Sequence, residues 1–403
     1  GLCAGAMPNA EGVVLSLAKF NNILAINPLT RTARLQPGVR NLAISEAAAE
    51  HGLYYGPDPS SQIACTIGGN VAENSGGVHC LKYGLTVHNV LSVEMLTVEG
   101  EKVTLGSDGL DNCGLDLLAL INGSEGLLGV ITEIQVKLLP IPEKARVVMA
   151  GFDNVQQAGD SVGGIIAEGI IPGGLEMMDS YAISAAEDFA KAGYPKDAKA
   201  LLLCEVDGTS EEVQEHIEQV EKLFHSFGAT SVRTSQTEAE RALLWKGRKS
   251  AFPAVGRISP DYYCMDGTIP RGQLAHVLTE MQKMSDHYQL RVANVFHAGD
   301  GNLHPLILFD ANIPGEFEKT EEFGGKILEL CVEVGGCITG EHGVGIEKIR
   351  QMRVQFSEQE LLQFNAIKDA FDPAGTLNPG KGVPTLRRCQ EYRSIEPKEV
   401  TND

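Results

Sequence analysis

Two histidines stand seven residues apart around a glycine-rich turn, Phe296-His297-Ala298-Gly299-Asp300-Gly301-Asn302-Leu303-His304, and a Glu341-His342 pair lies in a second glycine-rich stretch. Neutral imidazole is the commonest side-chain ligand for a borderline divalent metal, and a carboxylate beside two imidazoles leaves one coordination position open for water or substrate. An open position implies catalysis. The chemistry to expect is Lewis-acid activation of an oxygen by zinc, manganese or iron held on His297, His304 and Glu341. The plainer reading makes both histidines hydrogen-bonded strand ends, but an Asp, an Asn and two glycines in the same nine residues are costly composition for an edge hairpin unless something polar binds there. In an extended backbone adjacent side chains face opposite ways. That assigns Glu341 to the metal and His342 to the substrate as proton acceptor, its pKa naturally near the working pH.

The elements that must position these groups read as follows. Arg291 to Phe296 and Leu306 to Phe309 are short apolar strands, and Asp300-Gly301 between them is a hairpin turn that brings both imidazoles to one end. After Pro140-Ile141-Pro142 the chain alternates strands (near Ala200 to Val206 and Tyr262 to Thr268) with amphipathic helices. The helices run from Val155 to Glu168, Tyr181 to Ala192, Ser210 to Phe227, Glu238 to Phe252, Arg271 to Tyr288 and Gly315 to Val334. This is an α+β layer with helices on a mostly antiparallel sheet. Before Pro140 the strands are Val13 to Leu17, Ile23 to Ile26, Thr32 to Gln36, Leu91 to Val98, Lys102 to Leu105 and Val130 to Leu139, with small helices from Asn41 to His51 and Leu115 to Ile121. A helix from Ser357 to Phe371 precedes Asp372-Pro373 and a charged, loose tail from Arg387. The organisation to expect is residues 1–140 as one domain, 141–355 as a second, 356–386 returning to the first, and 387–403 as tail.

Five glycine-rich loops crowd the first domain: Gln36-Pro37-Gly38-Val39, Gly56-Pro57-Asp58-Pro59-Ser60-Ser61, Thr66-Ile67-Gly68-Gly69-Asn70, Asn74-Ser75-Gly76-Gly77 and Gly123 to Thr132. Singly, such clusters usually just make turns. Together they let the main chain approach a large phosphate-bearing cofactor and offer it backbone amides. Their spacing is neither the Gly-x-Gly-x-x-Gly dinucleotide fingerprint nor a P-loop.

Composition sets limits on the partners. With 403 residues and 43% hydrophobic content the chain can bury a large core. A net charge of −20 argues against nucleic acid and anionic lipid, and an anionic substrate would need concentrated local positive charge such as a metal and a buried Arg. The nine cysteines show no Cys-x-x-Cys pair, so they read as reduced thiols of a cytoplasmic protein without an iron–sulfur cluster of its own. No apolar run is long enough for a membrane span.

Pro37-Gly38-Val39, Pro57-Asp58-Pro59-Ser60-Ser61, Thr66 to Asn70, Gly123-Ser124-Glu125-Gly126, the two histidines, Gly340-Glu341-His342-Gly343 and Leu377-Asn378-Pro379-Gly380-Lys381 together resemble the FAD-linked oxidase family of vanillyl-alcohol-oxidase type. The likeness covers nearly the whole chain. Within the family it is strongest to the D-2-hydroxyacid dehydrogenases, the larger FAD-binding subunits of bacterial glycolate oxidases and D-lactate dehydrogenases, through stretches such as Ser259 to Pro270 and Val292 to Asn302. The resemblance implies FAD in the first domain. The cofactor-binding positions it implies are Gly1, Gly5, Pro37, Gly38, Pro57, Asp58, Ser60, Thr66, Gly68, Gly69, Asn70, Asn74, Gly77, Tyr83, Gly84, Glu125, Gly126, Gly129 and Ile131, with Asn378 and Lys381 approaching the flavin from the C-terminal segment. It also implies a divalent metal on His297, His304 and Glu341, His342 as the base, and Arg248 of Trp245-Lys246-Gly247-Arg248 pairing with the substrate carboxylate. The activity implied is oxidation of a small 2-hydroxy acid, glycolate or D-lactate. Electrons would pass to a separate iron–sulfur subunit in a complex that includes a second FAD-type subunit, cytoplasmic or held at the inner membrane by its partners. Family members begin earlier, with a further lobe; this chain opens inside the phosphate loop at Gly1-Leu2-Cys3-Ala4-Gly5, with Cys3 where Ser is expected. A metal-dependent hydrolase without flavin and a non-catalytic, partner-binding subunit are the other two classes to weigh; the intact Glu341-His342 pair argues against the second.

Overall fold

Strands joined by tight turns pair antiparallel, and both large sheets of this protein are built that way. The computed structural model describes residues 2–109 and 114–385. The first sheet comprises β1 (Ile23–Asn27), β2 (Thr32–Leu35), β4 (Val90–Leu96), β5 (Lys102–Gly106) and β6 (Val130–Lys137), in the order β1-β2-β6-β4-β5; β3 (Leu53–Tyr54) and β7 (Leu139–Pro140) form a small ribbon beside it. Its strands are buried on one face, and alternate residues such as Val93, Met95, Ile134 and Val136 meet Ile44 of helix Asn41–Ala48 and Ile67 and Val71 of helix Ile67–Glu73. Ile367 and Phe371 of the late helix Glu358–Phe371 pack on this core too.

The second sheet comprises β8 (Lys144–Phe152), β9 (Gly174–Asp179), β10 (Ala200–Gly208), β11 (Ser231–Thr234), β12 (Asp261–Cys264), β13 (Gly267–Thr268), β14 (Val292–His297) and β15 (Asn302–Phe309). Its order is β11-β8-β10-β9-β14-β15-β12, with β13 also on β15. Helices cover both faces. Val162, Val213, Phe224, Val277 and Ile327 lie on one side against Leu202 and Phe296, while Ala182, Ile183, Leu244 and Trp245 lie on the other against Leu201 and Val295. Coverage on both faces is why the central strands β10 and β15 are apolar almost throughout and show no alternation.

Three of these strands have no counterpart in the sequence reading. β8 begins Lys144-Ala145-Arg146, β9 carries Glu176 among apolar residues, and β11 has only four residues. In the other direction, Val13 to Leu17 forms no strand: Val13, Val14 and Leu15 sit exposed in an irregular segment, because apolar character does not supply a pairing partner. β15 starts four residues earlier than expected, at Asn302, and includes Pro305. The missing N–H of Pro305 is harmless because it falls opposite the break at Met265-Asp266 between β12 and β13. Gly1 and the tail from Arg387 lie outside the described residues.

A buried polar network ties the two sheets together. The His79 imidazole lies between Asp58 (2.9 Å from Nδ1) and Glu205 of β10 (3.0 Å from Nε2), and Glu205 also meets Arg241 at 2.7 Å and the Trp245 indole N–H. Lys82 and the Tyr83 hydroxyl donate to Asp207, also on β10. Burial alone would lower the His79 pKa, but the Asp58 and Glu205 carboxylates prevail and raise it to about 10. Burial likewise opposes ionisation of Glu205, and His79 and Arg241 carry it down to about 2. A raised imidazole pKa contributes stability that is complete below the ordinary value of 6.5 and disappears as pH rises through about 10. We expect His79→Gln to cost roughly 3–5 kcal/mol at neutral pH, as for a broken buried ion pair. Denaturant midpoints should fall between pH 6.5 and 10 in the parent and stay flat over that window in the variant. Equal slopes would show that the network contributes nothing.

Candidate active site

The hairpin β14–β15 places its two imidazoles side by side. Val295 faces His304 and His297 faces Asn302 in the antiparallel register, so both histidines stand on one face with ring centroids 5.1 Å apart. The turn is held by two N–H groups, of Asp300 and Gly301, donating to the His297 carbonyl, and by the Asn302 N–H on the Asp300 side chain. At Gly301 φ is +85°, and a Cβ would lie 2.1 Å from the Ile269 carbonyl, so only glycine fits. His297 and His304 are 4% and 2% exposed.

Glu341 and His342 arrive from a distant loop. His304 Nε2 is 3.0 Å and His297 Nε2 3.7 Å from Glu341 Oε1, and these three residues offer ligand atoms all within 4.8 Å of one another. The His342 ring stacks on that of His304, centroids 5.1 Å apart, with its Nε2 4.0 Å from Glu341 Oε1. The opposite-face expectation for this pair is therefore corrected. The loop is bent, not extended: the N–H groups of Gly340, Glu341 and His342 all turn onto the Asp266 carboxylate at 2.8 to 3.2 Å, which leaves both side chains facing His304. Asp266 also accepts from the Thr339 hydroxyl and pairs with Lys348 at 3.2 Å, and neither Asp266 nor Lys348 is exposed at all. Despite burial, Lys348 and the nearby imidazoles hold the Asp266 carboxyl well below its ordinary range.

Arg248 enters from the helix layer that covers this same face of the sheet. Helix Glu238–Lys249 turns Leu244, Trp245, Gly247 and Arg248 inward, and Arg248 is 1% exposed, so its charge is buried and not a solvated surface charge. Its Nη2 lies 2.5 Å from Glu176 Oε2, and Glu176 Oε1 lies 2.7 Å from His297 Nδ1. Burial opposes ionisation of Glu341, yet the two imidazoles hold its pKa well below the ordinary value. For His297, burial works downward while Glu176 and Glu341 win and hold it well above. The imidazole proton is thus what balances these carboxylates, and a divalent cation would take its place. His342 is different: burial dominates and lowers its pKa to about 4, so it is neutral at physiological pH and free to accept a proton.

The donor set fits a divalent cation, since two imidazoles and a carboxylate converge and the buried His304 Nδ1 and Asn302 Oδ1 lack hydrogen-bond partners. The glycine-rich loops of the first half are joined to one another. Gly68 donates its N–H to Pro37, and a Cβ there would sit 2.5 Å from the Pro37 ring, so Pro37-Gly38 and Thr66 to Asn70 form one surface. Thr66 caps helix Ile67–Glu73 on the Gly69 N–H, and nothing else lies within 4 Å of where a Gly69 Cβ would stand, which leaves the main chain there open to a ligand. Asn70 is buried against Asn41, whose amide also reaches the Pro57 carbonyl. Asn74 accepts from Val87, Gly77 packs on Asp58-Pro59, and Ser60 is exposed in the next turn.

Glu125 and Gly126 meet Asn378, whose amide donates to the Glu125 carbonyl at 2.7 Å, and Lys381 donates to the Gly5 carbonyl at 3.0 Å. Gly129 and Ile131 lie where β6 opens against Met95. The Asp58 carboxylate and the Tyr83 hydroxyl, beside Gly84, point instead into the polar network under β10. The Glu125 carboxylate is taken by the N–H groups of Val344 and Gly345, both at 2.7 Å, and the Gly76 N–H reaches Glu341 Oε2 at 3.0 Å. The first-sheet loops therefore touch the loop of Glu341 and His342 directly.

Residues 1–106 match the family described as "FAD binding domain", and residues 141–382 match "FAD linked oxidases, C-terminal domain". The chain belongs to the FAD-linked oxidases. It is an FAD-dependent oxidoreductase of vanillyl-alcohol-oxidase fold. It is 67% identical over 395 residues to "Glycolate oxidase subunit GlcD" of Escherichia coli (strain K12), covering 98% of this chain and 79% of that one. It is 41% identical over 381 residues to the protein of the same name from Bacillus subtilis (strain 168), covering 94% and 81%. Among solved structures, 4-ethylphenol oxidase from Gulosibacter chungangensis superposes with a TM-score of 0.74 at 18% identity, over 93% of this chain and 80% of that one, a likeness of fold alone.

Within this oxidase the sequence reading missed Glu176, Asp266 and Lys348 as site-forming groups. A lone carboxylate inside Gly174-Leu175-Glu176-Met177-Met178 is the signal that could have found the first, because a charge in a fully buried strand needs a partner. Asp266→Asn should cost the oxidase roughly 3–5 kcal/mol by leaving Lys348 buried and unpaired. Hydrogen exchange at the amides of Gly340, Glu341 and His342 should accelerate in that variant relative to those of β15; unchanged protection of the loop would contradict the anchoring role of Asp266.

Proposed function

We propose that this FAD-linked oxidase oxidises a small 2-hydroxy acid, glycolate or D-lactate, to the 2-oxo acid, with a divalent cation on His297, His304 and Glu341. The observation that carries the reading is the convergence of those three ligands with a neutral imidazole, His342, and a buried guanidinium, Arg248. The glycolate oxidase subunits named above, the first at 67% identity, favour glycolate. When bound, FAD supplies the acceptor for the hydride of the hydroxyl-bearing carbon, and the cation supplies a Lewis acid for its oxygen.

The chain's own residues do the rest. Arg248, whose Nε has no hydrogen-bond partner, binds the substrate carboxylate and turns the hydroxyl towards His342. His342 accepts the hydroxyl proton, for which its lowered pKa keeps it empty. Asp266 and Lys348 hold the loop so that this imidazole cannot swing out. Phe252, 6.1 Å from the His304 ring, helps to exclude water. The loops from Pro37 to Gly77 with Gly5, Glu125, Gly126, Asn378 and Lys381 hold FAD, in an organisation of residues 1–140 as FAD-binding domain, 141–355 as substrate domain and 356–386 as a segment returning to the first. Electrons leave to a partner iron–sulfur subunit of a glycolate oxidase complex, since the free thiols among the described residues form no cluster-type group. No helix among those residues is long and apolar enough to cross a membrane.

Anaerobic stopped-flow bleaching with glycolate and D-lactate tests the reading; failure of both to reduce the flavin sinks it. His342→Ala should slow flavin reduction by about 10²- to 10⁴-fold, the worth of a general base, with FAD and metal contents unchanged. Treatment with a chelator should abolish reduction by glycolate, and zinc or manganese should restore it. Full activity in metal-free protein would remove the cation from the proposal.

A further inference from the structure

One deeply buried carboxylate of the site, Glu176, has no task in the function proposed above. Glu176 stands at the middle of β9 with its side chain 1% exposed, between Leu175 and Met177, and its two oxygens reach different partners. Oε1 meets His297 Nδ1 at 2.7 Å, and Oε2 meets Arg248 Nη2 at 2.5 Å. A buried Glu–Arg pair is weak as a stabilising device, because apolar residues of similar volume do as well. The arrangement therefore asks for a use.

We propose that Glu176 is a positioning residue that sets two groups at once: the imidazole of His297 for the cation, and the guanidinium of Arg248 for the substrate carboxylate. This rests on the function proposed above. The carboxylate at Nδ1 fixes the proton on that nitrogen, which leaves the lone pair on Nε2, the atom that faces Glu341 Oε1. A ligating histidine whose other nitrogen donates to a carboxylate is both oriented and more basic. His304 has no such partner, since its Nδ1 is buried without a hydrogen bond. His297 is thus the preset ligand of the pair, and His304 follows. On the other oxygen, Glu176 holds one edge of the guanidinium as an ion pair, and Arg248 Nε and Nη2 both lack a hydrogen bond, open to an incoming anion. One carboxylate on a rigid central strand fixes the distance between the metal-binding and anion-binding ends of the site, and hence the size of hydroxy acid that spans them.

The test is a two-by-two set in the full flavoprotein: parent, Arg248→Met, Glu176→Gln and the double variant E176Q/R248M. The double variant leaves no buried charge unpaired at this pair, so it is the member expected to keep normal FAD content and melting temperature. Calorimetric titration of chelator-treated protein with Zn²⁺ reads the first task, and KM and kcat for glycolate at saturating Zn²⁺ read the second. Loss of Glu176 should weaken Zn²⁺ binding by about 10- to 100-fold in both backgrounds, the usual cost of removing an outer-shell partner. The same loss should raise KM about tenfold when Arg248 is present, with a smaller change in kcat, and should have no effect on KM once Arg248 is gone. Zn²⁺ affinity equal in R248M and E176Q/R248M would overturn the proposal, as would a KM increase of the same size in both backgrounds. A parent protein that binds no Zn²⁺ would instead fault the function proposed above, a result this set separates from the failure of Glu176 alone.

Discussion

The site depends on one buried ion pair. Asp266 and Lys348 have no contact with solvent, and the Asp266 carboxylate gathers three consecutive backbone N–H groups and a hydroxyl from the segment Thr339 to His342. A carboxylate that accepts so many donors can stay ionised in a low-dielectric interior, and each donor it takes fixes another backbone angle of the loop. The geometry has a chemical result: two adjacent residues that an extended chain would splay apart, Glu341 and His342, both come to face the His304 ring. Asp266 can hold this position only because the edge pairing on β15 breaks between β12 and β13, leaving Met265-Asp266 free to bend inward.

The same loop is held from its far side by the FAD-binding half. The Glu125 carboxylate takes the amides of Val344 and Gly345, the Cys3 carbonyl accepts from Ile346, and Gly76 donates to Glu341. Gly343 makes this approach possible: its φ is +84°, and a Cβ there would lie 2.0 Å from a Glu73 oxygen. Burial and the neighbouring Glu125 raise the Glu73 pKa to about 8, and burial raises that of Glu125 as well. The loop that carries the proposed base is therefore a seam between the two sheets, and the spacing between the first-sheet loops and His342 is set by hydrogen bonds and not by the flexibility of a linker.

Much of this was legible in the sequence because the signals were local. The hairpin at Asp300-Gly301 and the histidines around it follow from turn chemistry over nine residues, and the helices of the second half follow from their apolar period, with ends within a few residues of those observed. What stayed hidden is relational. Glu176 acquires meaning only when β9 is laid beside β14, a pairing between residues more than a hundred positions apart. Asp266 lies in a segment that reads as one strand, Tyr262 to Thr268, and only the interruption of that strand exposes its side chain to the loop. The face of Glu341 and His342 could not be read because alternation presumes an extended backbone, and the loop's shape is imposed by a carboxylate far away in the chain. Val13 to Leu17 errs in the other direction: it has the composition of a strand and no neighbour to pair with.

The turn between β14 and β15 also restricts how this chain can vary in length. Side chains on a strand alternate with a period of two, so one residue inserted anywhere between His297 and His304 would rotate every later position of β15 to the opposite face of the sheet. His304 would then point into the layer of Leu303 and Ile307, and the apolar residues that fill that layer would be driven towards the polar cavity. Insertion and deletion, which most surface turns absorb without penalty, are thus forbidden here in odd numbers, and the count of residues in this reverse turn is as strict a requirement as the identity of the two rings it separates.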